Sequence, residues 1–340
     1  SEGQGGARLI SLYDFENKKV FFPDIDSRFK FCALVFGGEA RRTARTGCAF
    51  YLRAVSEIDD ADKVLALAAE DFAAVNPNTG AAPIFRTRRD AEITTAIYRR
   101  QPVLVDRRSE PPKKLWPARY VRMFDMTNDA GLFLRRDELE AQGWYPVGLN
   151  RWKKGETEAV PLYEGKMVQM YDHRAADVVV NVANLHRPAQ QEALTVADHQ
   201  DAGRLPQPQF WVNKKDVAEV YAGDWVLGFK EITAPTNVRT MIACIAPGCG
   251  FGNKFPLLLP EAGRREFGQF APLLLANVNT FVFDFVLRQK LHGQTINLYI
   301  LEQLPLIRPE QFEQQIGKSK IADFVRGEVL RLSYTAHDLA

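Results

Sequence analysis

The chain has 340 residues, a formal net charge of +2, 46% hydrophobic and 25% charged residues, the profile of an ordinary soluble protein. No apolar run approaches bilayer length and the start SEGQGG is no signal peptide, so no membrane partner and a cytoplasmic location are expected. Four cysteines, Cys32, Cys48, Cys244 and Cys249, have no CxxC spacing and no histidine pair nearby, which argues against a zinc site; no metal residues are assigned.

Leu9 to Phe36 predicts a strand, a turn and a second strand, the second apolar on both sides and so expected inside a sheet. Ala61 to Val75 predicts a helix, Asn76 to Gly80 (NPNTG) a loop, and Arg88 to Arg100 a short helix. The Pro-bearing basic connector RRSEPPKKLWP then marks a boundary. RRDELEAQG reads as helical, Ala175 to Pro208 as a long loop or insertion, and Phe210–Val212, Trp225–Ile232 and Arg239–Ile245 as strands. After Pro309 the chain turns helical again.

Charge is unevenly spread. Arg86 to Arg122 holds eleven basic residues against four acidic ones, a local excess of +7 suited to phosphates, although a solvated face is the plainer reading. Further on, Phe270, Leu273, Leu274, Val278, Phe281, Val282 and Phe285 follow the three-and-four spacing of one buried helix face. Asn277, Thr280, Asp284 and Arg288 fall on the other face, with Asp284 and Arg288 four apart. Arg288, Lys290 and His292 crowd the last turn, where the helix dipole favours cations, and Gly293 suits a left-handed stop.

Enzymatic motifs are weak. GCGFGN at Gly248 to Asn253 resembles a nucleotide loop, but an apolar Pro-flanked run follows it rather than a helix, so a turn is expected. Asn76-Pro77-Asn78-Thr79 lacks the second proline and the aromatic residue of a base-flipping Asn-Pro-Pro-Tyr loop. Glu164, Lys166 and Asp172 fit a magnesium nuclease pattern poorly in order and spacing. Lys166, Asp172, His173 and Arg174 form a polar group, and no GxSxG elbow is present.

Several stretches in one order resemble a known family. SLYDFENKKVFFPDIDSRFKFCALVFGG, NPNTGAAPIFRTRRDAEITTAIYRR, MFDMTNDAGLF, LPLYEGKMVQMYDHRA, LGFKEITAPTNVRTMIACIAP, LLANVNTFVFDFVLRQKLHGQTINLYILEQLPLI and VLRLSYTAHDLA are similar to successive blocks of the large, type IIG-like adenine-specific DNA methyltransferases of restriction-modification and phage-defence systems.

The resemblance implies a mixed α/β (α+β) fold: the tail of a methyltransferase sheet with a basic connector over residues 1–115, then a target-recognition domain over 116–312, similar to half of a type I specificity subunit. Residues 313–340 would begin a C-terminal helical segment. The parent would methylate adenine N6 with S-adenosylmethionine and possess in some cases a nuclease. The S-adenosylmethionine glycine motif and the Asn-Pro-Pro-Tyr motif are absent from this chain, so no cofactor, catalytic residue or activity is expected in it alone. Double-stranded DNA and the methylase core of the same parent chain are the expected partners. By block position, the expected DNA contacts are Lys166, His173, Arg174, Arg239, Thr240, Arg288, Lys290, Gly293, Gln294 and Asn297, with Arg86, Arg88 and Arg89 on phosphates. The rival expectations are a magnesium-dependent nuclease built on Glu164, Lys166 and Asp172, and a subunit-docking domain of a phage-defence complex.

Overall fold

In the first part of the chain, β1 (Leu9–Glu16) pairs antiparallel with β2 (Lys30–Phe36) and parallel with β3 (Thr46–Leu52), and β4 (Leu65–Leu67) completes a sheet of order β2-β1-β3-β4. This computed structural model describes residues 7–39, 41–181, 189–261, 263–291 and 293–340. His292, residues 1–6 and residues 182–188 of the expected long loop therefore lie outside the described residues.

β2 is an edge strand, not an interior one, because β3 occupies the other side of β1. Its apolar residues are largely exposed, Phe36 among them; Phe31 instead stacks on Phe15 with ring centroids 5.1 Å apart. The expected helix over 61–75 is divided: β4 comes first, then α1 (Ala69–Val75). α2 (Arg88–Arg100) forms where its spacing predicts, started by Thr87, whose hydroxyl accepts from Asp90 N while the Asp90 carboxylate accepts from Thr87 N. The short strands β5 (Val105–Asp106) and β6 (Lys113–Lys114) follow.

The chain divides into two units. One is Ser1–Leu115 with Arg288–His292 and Tyr299–Leu306; the other is Trp116–Leu287, Gly293–Leu298 and Ile307–Ala340. Backbone hydrogen bonds explain the return of the later segment to the first unit: Leu104 N donates to Leu304 O at 3.0 Å and Val105 N to Glu302 O at 2.9 Å. Arg107 Nε adds an ion pair to Glu302 Oε2 at 2.6 Å, and the Tyr98 hydroxyl donates to Gln303 O at 2.7 Å.

The second unit is built on two sheets. β7 (Ala118–Val121) precedes α3 (Arg136–Ala141), β8 (Tyr145–Gly148), β9 (Arg151–Lys154), β10 (Thr157–Tyr163), β11 (Ala176–Val179) and β12 (Gln190–Ala193). Then come α4 (Val196–Gln200), β13 (Trp211–Asn213), α5 (Lys214–Val220), β14 (Trp225–Phe229), β15 (Ala243–Pro247), β16 (Gly250–Phe251) and β17 (Leu257–Pro260). The sheets run β13-β10-β9-β8, with β16 beside β10, and β15-β14-β17-β7. Between them lies an apolar core including Leu162, Tyr163, Val226, Phe251, Phe255 and Leu257. The described parts of the expected loop 175–208 are regular, since β11 and β12 pair antiparallel and α4 follows.

The GCGFGN glycines sit where backbones crowd. A Cβ at Gly248 would lie 2.0 Å from Gly223 O, and one at Gly250 2.6 Å from Val212 Cγ2, so these glycines permit close packing.

The single helix expected across residues 270–290 is two: α6 (Arg264–Val278) and α7 (Phe281–Lys290). Asn279 ends the first because its buried side-chain amide pairs with the backbone of Ala243, accepting from its N at 3.1 Å and donating to its O at 2.9 Å. Thr280 starts the second, its hydroxyl accepting from Phe283 N at 3.1 Å. The break rephases the apolar face. Phe281, expected in the core, is 82% exposed, while Asn277 and Asp284, expected outside, are buried.

α8 (Leu298–Leu301) and α9 (Ile321–Ser333) follow, and α9 packs on α6, so residues 313–340 belong to the second unit. Among the described residues no single helix is long and apolar enough to cross a membrane.

Candidate nucleic-acid interface

A cleft of about 410 Å³ in the second unit gathers three lysines, Lys166, Lys230 and Lys254, with Glu164, Gln191 and Ile232. Each is placed by a buried neighbour. Fully buried Met167 pins the short turn after β10 that holds Glu164 and Lys166. The same turn can reach the β16–β17 loop because Gly165 has no side chain: a Cβ there would lie 2.9 Å from Lys254 O. Lys230 follows β14, its backbone N donating to Ile242 O at 2.9 Å, and Lys254 precedes the buried Phe255.

The three ammonium groups differ in their partners. Lys166 Nζ donates to Ala189 O at 3.0 Å and lies 3.0 Å from Glu164 Oε2. Lys254 Nζ donates to Glu231 Oε2 at 3.1 Å, and that buried carboxylate is shared with Arg122. Lys230 has no ion-pair or side-chain hydrogen-bond partner among the described residues, and burial pulls its pKa below the usual lysine value. A partly desolvated ammonium without a counter-ion favours an incoming anion, and two further lysines stand on the same cleft.

The turn Gly293–Asn297, chosen from sequence, runs beside the cleft. Ile296 N donates to Glu231 O and Thr233 N to Gln294 O, both at 2.9 Å, and Thr295 bridges to Ile232 of the cleft wall. Gly293 and Gln294 are exposed and Asn297 is half-buried. The structure thus sets the turn Gly293–Asn297 against the Ile232 wall of the cleft that holds Lys166, and adds Lys230, Lys254 and Gln191 to that cleft. Sequence reading passed over these last three because each is an ordinary polar residue in a separate block.

Other expected contacts are placed elsewhere and require correction. His173 is fully buried, with Nε2 2.9 Å from Asp338 Oδ1. Arg174 is equally buried, its guanidinium donating to the carbonyls of Asp201, Arg204, His199 and Thr335. Thr240 is buried too, its N donating to Asp284 Oδ1 at 2.7 Å. These three hold the fold and present nothing to a duplex. Arg239 is largely covered, donating to Asn279 O and lying over the Phe281 ring at 4.6 Å.

Arg288 and Lys290 belong to the first unit, apart from Gly293, Gln294 and Asn297 in the chain's division. Lys290 Nζ donates inward to Val75 O at 2.7 Å and to Asn76 Oδ1. Arg86, Arg88 and Arg89 are exposed as expected, but already engaged. Arg86 lies 4.3 Å over the Tyr51 ring, Arg88 donates to Val64 O at 3.3 Å, and Arg89 pairs with Glu92 at 3.3 Å. Much of the basic excess of residues 86–122 is likewise paired, as in Arg99 with Asp71 at 2.7 Å and Arg108 with Asp106 at 2.7 Å.

Asp172 does not line the cleft of Glu164 and Lys166; its carboxylate meets His199 Nε2 at 3.0 Å and accepts from Arg174 N at 2.8 Å. Among the described residues, no group of three or more His, Cys, Asp and Glu side chains is arranged to hold a metal ion. No protein-family model matches the chain, and no curated protein matches it.

Proposed function

We propose that this chain is the sequence-recognition region of a restriction-modification DNA adenine-N6 methyltransferase, with the S-adenosylmethionine and catalytic motifs elsewhere in the parent protein. On this reading the first unit carries the end of the methylase sheet, the second unit is the target-recognition domain, and double-stranded DNA is the partner. One observation carries it: the unpaired ammonium of Lys230 stands in a cleft with Lys166 and Lys254, beside a turn offering Gln294 and Asn297. Lysines at such a cleft suit phosphate oxygens, and the amide side chains suit adenine edges. The order of the sequence blocks supports the same assignment.

Anisotropy titration of the full chain with a mixed-sequence duplex tests this. Binding is expected at low salt, and Lys230→Ala is expected to weaken it uniformly across sequences and lower the salt slope by about 1. Gln294→Ala is expected to relax sequence preference while leaving that slope in place. Absence of duplex binding at 50 mM salt (roughly the low end of the usual salt range), or an unchanged slope in Lys230→Ala, would overturn the reading.

A further inference from the structure

The first unit holds a second cleft, of about 230 Å³, between the NPNTG loop, α2 and the returning segments around Lys290 and Ile300. Its walls are mainly apolar, with Val75, Phe85 and Ile300 among them, and they include no Asp or Glu. Lys290 points its ammonium into this setting. Two of its hydrogens go to neutral acceptors, Val75 O and Asn76 Oδ1, which leaves the third without a partner among the described residues.

Even two exposed cations of this unit have carboxylate partners. Arg107 has Glu302 and Arg99 has Asp71, each at ion-pair distance. Lys290 has carbonyl dipoles and the Tyr98 ring, 5.1 Å away, but no carboxylate. Burial alone pushes its pKa down to about 7, the signature of a cation whose charge is uncompensated. Thr94, only 1% exposed, also lines the cleft, and its hydroxyl has no hydrogen-bond partner. Orphaned buried polar groups are rare in folded chains, and this one belongs to a residue that lines the same cleft as Lys290.

We propose that this cleft binds a small carboxylate with a flat apolar body, its carboxylate on Lys290 and Thr94 and its ring against Val75, Phe85 and Ile300. The volume lies below the roughly 300 Å³ at which drug-sized sites begin, so a single ring fits and a nucleotide does not. The anion supplies the charge that the protein leaves out, and the apolar walls exclude the water that would otherwise compete. The site is separate from the lysine cleft and requires no DNA.

Benzoate and its neutral counterpart benzyl alcohol test this by calorimetry on the full chain at pH 6 (roughly one unit below the lysine value, with Lys290 protonated). Benzoate is expected to bind saturably, with benzyl alcohol at least about tenfold weaker. Lys290→Met removes the distinction between the two, and Ala82→Trp, which adds bulk at a residue lining the cleft, blocks both. Benzoate affinity falls as the pH is raised past 7, where the free ammonium loses its proton (roughly the value burial sets). The titratable groups set toward Lys290 are Tyr98 from α2, whose hydroxyl burial pushes well above the usual tyrosine value, and Tyr299 from α8. Equal binding of benzoate and benzyl alcohol, no saturable benzoate binding, or benzoate binding unchanged in Ala82→Trp would each overturn the proposal.

Discussion

His173 Nε2 lies 2.9 Å from Asp338 Oδ1, and both side chains are almost wholly out of solvent. With Arg174, which donates to Thr335 O at 2.8 Å, the pair ties the segment after β10 to the last turn of the second unit. These residues stabilise the fold by satisfying polar groups where water cannot.

Asp338→Ala is therefore expected to destabilise the second unit by about 1–3 kcal/mol, the cost of an orphaned buried imidazole. Arg174→Met should cost more, about 3 kcal/mol or above, because several buried carbonyls lose their donor together. Urea midpoints followed by tryptophan fluorescence measure both. A loss of DNA affinity without a loss of stability would contradict this structural role.

Asp284 Oδ1 accepts from Thr240 N at 2.7 Å and Met241 N at 2.8 Å. Asp284→Ala leaves both amides without an acceptor, at an expected cost of about 2–4 kcal/mol. Asp284→Asn retains an oxygen and should cost less than half as much, roughly 1 kcal/mol. Equal destabilisation by the two variants would show that charge, not hydrogen-bond acceptance, is what the site needs.

His199 has a pKa raised above its usual value, chiefly because its ring donates to Thr195 O, with Asp172 adding a second partner. A pKa raised in the folded state gives stability that is complete below about 6.5 and declines as the pH rises through the folded value. Chemical unfolding across pH 5.5 to 8.5 (roughly bracketing the histidine range) should show this decline, and His199→Gln should flatten it.

Glu57 behaves in the opposite sense in the first unit. The Lys63 ammonium, then the backbone N of Arg53, hold its carboxyl down at about 2. Its contribution is present above about 4.5 and is lost as the pH falls through about 2. A carbon-detected carboxyl titration checks the value, and Lys63→Met should move it back toward the ordinary glutamate range.

Local elements were the most readable from sequence. α2 combines helical spacing with a capping threonine and an aspartate three residues on, so nothing distant is needed to place it. The region 270–290 misled because its apolar spacing runs on through Asn279, whose role as a backbone mimic for Ala243 depends on a strand far away in sequence. β2 misled similarly: two apolar faces fit an interior strand, but only the pairing of β1 with β3 decides which edge stays open. Of the residues lining the lysine cleft, sequence reading singled out Glu164 and Lys166. Lys230 and Lys254 acquire meaning from the loops that bring them together, and Arg174 loses its surface character through carbonyls supplied by two later segments.

The chain returns to its first unit after most of the second has been made, and this bears on modularity. A fragment ending at Leu115 would lack the backbone that receives Leu104 N and Val105 N, exposing an edge that invites aggregation. Units joined in this way cannot be exchanged by a single crossover. A graft of either unit needs seams on both sides of each returning segment, so replacing a short loop disturbs less of the chain than shuffling a whole unit.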